Sequence, residues 1–323
     1  MIGNKDILMQ IQIAAVAAVR TNSAVPHMLF SGTPGCGKTT TAKLVSQITN
    51  YPLIEVMVDS LTNLKDVRKL FLQLPLDGYD HTGKKIGKIK PVILFIDEIH
   101  GLSTKVQEIL GIAMEEWKLP VQSEISNFVP EFTLIGATTS EGKLTVPFLE
   151  RFKMVFYFKP YTVEESIDIV KYHALNTFKM NITDDAAKEI ALRGRGIPRI
   201  LVSLLRRVRD FSIAMNKTTI EKELAIACFS IMKVNEDGLT EHDLDLLYNL
   251  FKINAPVGID NLAMMTGIPK GNLMSLERYL IQKGLIMRAP RGREITREGL
   301  KYLAKQGKIS EMELHQAMME RFE

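Results

Sequence analysis

Residues 32 to 39 read Gly-Thr-Pro-Gly-Cys-Gly-Lys-Thr, and this loop constrains the fold more than any other stretch of the chain. It matches the pattern G-x-x-x-x-G-K-[ST], whose glycines let the backbone wrap round a phosphate with its N–H groups pointing inward. That geometry works only where a buried strand ends and a helix begins, because the positive end of the helix dipole must face the anion. The flanking sequence supplies both. Residues 28–30, 53–58, 92–96, 132–136 and 154–158 are nearly all apolar, as parallel strands covered on both faces must be. Between them, residues 39–48 and 104–117 carry apolar side chains at helical spacing. The pattern predicts a doubly wound α/β domain.

At 323 residues the chain exceeds one ordinary core, so two or three domains are expected. We place an α/β phosphate-loop domain over 1–160, a helical domain over 161–236, and a third domain with a helical tail over 237–323. From Thr162 to Met232 the pattern is purely helical, with Thr162-Val-Glu-Glu165 and Thr183-Asp-Asp185 as helix starts. The polar run Asn235-Glu-Asp-Gly238 reads as a linker. Three helical segments and a ribbon over 285–295, with Gly292 at its tip, follow in the outline of a winged helix. Two cysteines, Cys36 and Cys228, exclude a disulfide framework and fit a reducing compartment. No basic-then-apolar leader pattern and no apolar stretch near about 18 residues is seen, so neither export nor a membrane span is expected and the cytoplasm is. The net charge of +4 permits nucleic-acid binding without requiring it.

The loop assigns chemistry to its residues. Lys38 would reach β- and γ-phosphates, and the Thr39 hydroxyl would bind Mg²⁺. Val92-Ile-Leu-Phe-Ile-Asp97-Glu98 ends an apolar run in two carboxylates, at the strand edge where such sheets bind ligands. Asp97 would hold the metal and Glu98 would polarise an attacking water. Thr139 ends another strand and could sit between γ-phosphate and water, although threonine is common in strands. Arg151, in Pro147-Phe-Leu-Glu-Arg151-Phe152, is an isolated arginine whose plain alternative is a surface salt bridge. Arg199 opens a helix after Arg193-Gly-Arg-Gly-Ile-Pro198 and could point to phosphate or be an ordinary terminal charge.

These stretches resemble one family closely, the RuvB-type Holliday-junction branch-migration ATPases of the AAA+ class. The match runs through residues 32–40, Leu94-Phe-Ile-Asp-Glu-Ile-His100, Phe132-Thr-Leu-Ile-Gly-Ala-Thr-Thr139 and Tyr161-Thr-Val-Glu-Glu165. It continues through Arg195-Gly-Ile-Pro-Arg199, Leu204-Leu-Arg-Arg-Val-Arg-Asp-Phe211, Pro256-Val-Gly-Ile-Asp260, Leu280-Ile-Gln-Lys-Gly284 and Pro290-Arg-Gly-Arg293. The resemblance implies a P-loop AAA+ ATPase domain, a helical lid and a C-terminal winged helix, assembled as a homo-oligomeric, hexameric ring on double-stranded or branched DNA. It implies ATP and Mg²⁺ as cofactors, with Ile2, Gly35, Cys36, Gly37, Lys38, Thr39, Thr40, Tyr161 and Arg199 about the nucleotide. Thr139 is similar to the family's first sensor, Arg199 to its second, and Arg151 to the arginine finger that reaches a neighbour's ATP.

Three departures are visible. Relatives have a longer N-terminal segment that clasps the adenine, whereas here the match starts at Ile2-Gly-Asn-Lys, so looser base recognition is expected. Between Trp117 and Phe132, relatives carry a longer hairpin that docks a RuvA junction-binding partner; this chain has only Lys118 to Glu131, which leaves a RuvA-like partner open. A basic loop over 81–90, with Lys84, Lys85, Lys88 and Lys90, is added. In the last domain Arg288, Arg291 and Arg293 suit sequence-independent phosphate contact. Residues 270–282 offer few side chains for reading bases. A clamp-loader-like or regulatory AAA+ switch acting on DNA is the competing class; a protein unfoldase would want a pore loop of aromatic-hydrophobic-Gly type, and none is identified in this sequence.

Overall fold

The structure, a computed structural model, describes residues 2–80, 83–120 and 128–322. They divide into two compact units, Met1–Glu165 with Ile197–Arg199, and Ser166–Gly196 with Ile200–Glu323. In the first unit the chain runs α1 (Lys5–Thr21), β1 (Met28–Gly32), α2 (Lys38–Thr49), β2 (Leu53–Val56), α3 (Leu64–Leu72), β3 (Val92–Ile96), α4 (Thr104–Glu116), β4 (Phe132–Thr138), α5 (Val146–Leu149) and β5 (Met154–Phe158). The sheet has the order β2-β3-β4-β1-β5 and every pairing is parallel.

Alternation along β3 explains the two layers. Leu94 and Ile96 face a core shared with Val67, Phe71, Val106 and Leu110 of α3 and α4. Ile93 and Phe95 face the opposite core, shared with Ile11, Ala18, Ala42 and Val45 of α1 and α2. A strand buried on both faces reads as an unbroken apolar run, and it was that run, not an alternation, that located it. The expected strand over 53–58 stops at Val56, and Val58–Ser60 turns as a 3-10 helix. There Ser60 donates its N–H and hydroxyl to the Met57 carbonyl, which ends the extended run.

His27, just before β1, joins α4 to β4. Its Nδ1 accepts the Leu134 N–H at 2.9 Å, so Nε2 carries the proton and donates to the Met114 carbonyl at 3.1 Å. The ring lies 5.3 Å from Phe132 and 5.9 Å from Trp117, centroid to centroid. Burial lowers its pKa to about 4.

The second unit holds most of α6 (Val163–Asn176), then β6 (Asn181–Ile182), α7 (Asp184–Arg193), α8 (Pro198–Ala214), β7 (Thr219–Ile220) and α9 (Lys222–Ile231). β6 and β7 form a two-residue parallel pair, a departure from the purely helical expectation. Pairs this short leave no periodic trace. Then come α10 (Glu241–Ile253), α11 (Ile259–Thr266), α12 (Lys270–Gln282), β8 (Ile286–Ala289), β9 (Gly292–Ile295), α13 (Arg297–Lys305) and α14 (Glu311–Phe322). Three helices and an antiparallel ribbon over one apolar core form the expected winged helix.

Two expectations about this unit change. Asn235–Gly238 is a packed joint, not a loose linker. The Asn235 side chain accepts the N–H groups of Asp237 and Leu239 and donates to the Tyr302 hydroxyl. Asp237 pairs with Lys283 at 2.7 Å and accepts the Tyr302 hydroxyl at 2.9 Å. A Cβ on Gly238, at φ +73°, would lie 2.4 Å from the Arg193 carbonyl oxygen. Gly292, for its part, is not the ribbon tip; Pro290 and Arg291 make the turn. A Cβ at Gly292 would meet the Val257 backbone at 2.4 Å, because Val257 and Arg293 exchange both backbone hydrogen bonds there.

Candidate active site

The phosphate loop leaves β1 and enters α2 as the sequence required. Gly37, at φ +97°, precedes α2 with no side-chain cap, so the first-turn N–H groups of Lys38, Thr39 and Thr40 lack helical acceptors. The Lys38 side chain is buried to 7% exposure. Its ammonium donates to the carbonyls of Gly32 and Thr33 at 2.9 and 3.0 Å. The Thr33 hydroxyl is buried without a partner. Cys36 donates its thiol to the Thr33 carbonyl; burial pushes that thiol's pKa up against the pull of the Lys38 charge. An uncapped helix start, a buried ammonium and an orphaned hydroxyl in one glycine-rich turn fit the phosphates of a nucleotide.

β3 and β1 flank β4, so the loop, the acidic pair and Thr139 emerge at one edge of the sheet. Asp97 is exposed, and one of its oxygens accepts the Glu98 N–H at 3.0 Å. Glu98 holds a left-handed backbone, φ 49°, a strained state that persists where surroundings fix it. Its Oε2 accepts the Thr139 hydroxyl at 3.0 Å. The same oxygen lies 3.1 Å from His100 Nδ1, itself 3.0 Å from the buried Thr138 hydroxyl. A carboxylate only accepts, so we assign the ring proton to Nδ1. His100 is a site residue to which sequence reasoning gave no role, although it closes the acidic motif. The signal was its place three residues beyond Asp97.

Tyr161 is buried, and its hydroxyl donates to the Cys36 carbonyl at 3.3 Å; burial raises its pKa. A Cβ at Gly3 would lie 2.4 Å from the Tyr161 ring, so the segment carrying Ile2 rests against the tyrosine. Arg199 stands over Gly35, where a Cβ would be 3.0 Å from Arg199 Cβ. Among the described residues its guanidinium has no hydrogen-bond or ion-pair partner. Arg151 does not join this group. It pairs with Glu115 of α4 at 2.8 Å, while its Nε is buried without a partner.

On the ribbon, two of the three arginines are engaged within the fold. Glu277 of α12 is almost wholly buried and accepts from Arg288 Nε at 2.6 Å and from Arg293 at 3.0 and 3.1 Å. Burial pushes the Glu277 carboxyl up, but the bonds from Arg288 and Arg293 outweigh it and leave the pKa below its ordinary value. Arg293 is 17% exposed and Arg288 57%. Arg291, at the turn, is exposed. In the added basic loop Lys85 pairs with Glu131 at 2.7 Å; His81 and Thr82 lie outside the described residues. Lys118 and Phe128 bridge at the base of the shortened segment, and 121–127 also lie outside. No helix among the described residues is long and apolar enough to cross a membrane.

Three family models match in succession: the Holliday junction DNA helicase RuvB P-loop domain over residues 1–158, the RuvB AAA lid domain over 161–235, and the RuvB C-terminal winged helix domain over 236–304. The Holliday junction branch migration complex subunit RuvB of Wolbachia sp. subsp. Brugia malayi is 33% identical over 312 residues, 94% of this chain and 91% of that one. Its namesake from Ehrlichia ruminantium is 32% identical over 313 residues, covering 94% and 90%. Among solved structures, the Thermotoga maritima RuvB Holliday junction branch migration motor superposes with a TM-score of 0.79 at 31% identity, covering 94% of this chain and 95% of that one. A point mutant of it gives 0.81 at 30%, with the same coverage. With a phosphate loop and carboxylate edge in the AAA+ arrangement, and similarity along nearly the whole chain, the protein belongs to the RuvB family of ATP-hydrolysing AAA+ motors.

Proposed function

We propose that this chain is an ATP-driven DNA translocase that moves the crossover of branched duplexes, working in the cytoplasm as a hexameric ring. The observation that carries the reading is the Glu98 carboxylate, held by the Thr139 hydroxyl at 3.0 Å on the edge that bears the phosphate loop. Such an arrangement serves hydrolysis as well as binding. In this reading 1–160, 161–236 and 237–323 act as ATPase, lid and winged-helix domains.

Lys38 swings from its own loop carbonyls to the β- and γ-phosphates, and the N–H groups of Gly35 to Thr40 close on the phosphate chain. Thr39 and Asp97 would hold the magnesium ion, which supplies positive charge to the β- and γ-phosphate oxygens. Glu98 orients the attacking water, with Thr139 and His100 fixing its carboxylate. Tyr161 and the Ile2 segment border the base, and Arg199 reports on the γ-phosphate. Arg151 leaves Glu115 to stabilise the transferring phosphoryl group on a neighbouring subunit, a contribution of several powers of ten in rate. Arg291, with Arg288 and the half-buried Arg293, meets DNA phosphates.

A synthetic four-way junction tests this. ATP-dependent branch migration is expected, and runs with and without a RuvA-type junction-binding protein show whether such a partner is needed. ATP turnover indifferent to DNA, with no movement in either run, would favour the clamp-loader-like switch.

A further inference from the structure

Arg195 opens the Arg195-Gly-Ile-Pro-Arg199 stretch, yet it takes part in none of the chemistry above. Its backbone is left-handed, φ 58°, an uncommon state for a long side chain that surrounding contacts must enforce. The contacts are there. Arg195 Nε and Nη2 donate to the Gly238 carbonyl at 3.0 and 2.6 Å, and Nη2 pairs with Asp243 Oδ2 at 2.7 Å. The guanidinium lies 4.4 Å over the Tyr279 ring centroid. Asp243 is fully buried, and the same oxygen caps α10 through the Thr240 N–H and hydroxyl. One side chain thus grips the joint, α10 and α12 together. Two residues onward, Ile197–Arg199 belongs to the other unit and packs against Gly35 of the phosphate loop.

We infer that Arg195 is a positioning residue that couples the nucleotide site to the DNA-binding domain. It fastens lid and winged helix into one arm, so that a displacement of Ile197–Arg199 on hydrolysis is delivered to α12 and the ribbon without loss at the joint. The inference rests on the proposed motor function. The ion pair suits that role, because an arginine forked onto a carbonyl and a buried carboxylate admits one geometry, and leaving it strands a buried charge.

The test uses the full-length assembled protein with dyes at Lys188→Cys in the lid and Lys308→Cys in the winged helix, both exposed positions. Energy transfer between them is expected to be the same with ADP and with a non-hydrolysable ATP analogue. In Arg195→Gln it should broaden and become nucleotide-dependent, and DNA stimulation of ATP turnover should fall at least about fivefold, the lower end of typical coupling. KM for ATP, basal turnover and DNA affinity should each change less than about twofold, a split that general loss of structure cannot produce. Asp243→Asn, which keeps an acceptor for the α10 cap, should show the same uncoupling more mildly. Retained DNA stimulation in either folded variant, or a lid-to-wing distance that changes with nucleotide in the parent, overturns the inference. So does unfolding of both variants, which would mark Arg195 as structural only. If the parent cannot migrate a junction, the motor reading falls, while energy transfer and DNA-stimulated turnover still decide the role of Arg195.

Discussion

Acid should destabilise the α/β unit through a single imidazole. His27 is buried, neutral, and already committed at both nitrogens: Nδ1 accepts the Leu134 N–H and Nε2 donates to the Met114 carbonyl. Burial is what lowers its pKa to about 4, and an added proton would also set an N–H against the Leu134 N–H. An unfolded histidine titrates near about 6.5. The unfolded state therefore binds the proton more readily, so the loss begins as pH falls below about 6.5 and is complete near about 4. Linkage gives about 2 kcal/mol lost at pH 5 and a ceiling of about 3 kcal/mol. Trp117 is the only tryptophan and lies 5.9 Å from His27, so its fluorescence in urea reports this unit alone. Melts at pH 7.5 and 5.0 should be compared with those of His27→Asn, whose carbonyl can still accept the Leu134 N–H but which cannot titrate in this range. The parent should lose about 2 kcal/mol more than the variant between the two pH values. Equal losses would refute the assignment of the neutral, doubly bonded ring.

Three further outcomes follow from the site. Glu98→Gln should bind nucleotide normally yet turn over at least about a hundredfold more slowly, whereas Lys38→Ala should lose nucleotide affinity in a fluorescence titration; parental turnover in the first would displace Glu98 from its role. Neither Arg151→Ala nor Glu98→Gln should hydrolyse ATP alone, but mixed rings should recover part of the activity, and no recovery in rings shown to be mixed would leave Arg151 as merely the partner of Glu115. Arg291→Ala should flatten the plot of log DNA affinity against log salt by about 0.9, one phosphate's worth. Arg293→Ala should change that slope less and instead lower stability by roughly 1–3 kcal/mol, as bonds to a buried carboxylate are lost; the reverse ranking in filter-binding and urea titrations would contradict the observed pairing with Glu277.

Much of this was legible in the residues because it is local. Strand β3 is five apolar residues in a row, and the phosphate loop declares its own neighbours. What stayed hidden depends on partners distant in sequence. The ribbon arginines looked free because Glu277 lies on a preceding helix, and nothing near Arg293 shows a carboxylate folded beneath it. Asn235-Glu-Asp-Gly238 has the composition of a linker, yet Tyr302 and Lys283, both more than forty residues downstream, turn it into a joint. Gly292 signalled a tight turn when its purpose is to admit the Val257 backbone. At the active site, the meeting of Glu98 with Thr139 followed from two strand ends, while the contact of His100 with a Glu98 of left-handed backbone is one that composition does not foretell.

The packed joint also bears on how such a protein can be taken apart. A protease seeking pliant backbone meets resistance at 235–238, where the chain is bonded to Tyr279 of α12, to Tyr302 of α13 and to Arg195. Replacing everything after residue 236 with a foreign winged helix would leave Arg195 without its carboxylate, its carbonyl and its aromatic face at one stroke. Exchange of winged-helix heads between motors of this design must therefore carry the lid along, making the pair the smallest transplantable piece.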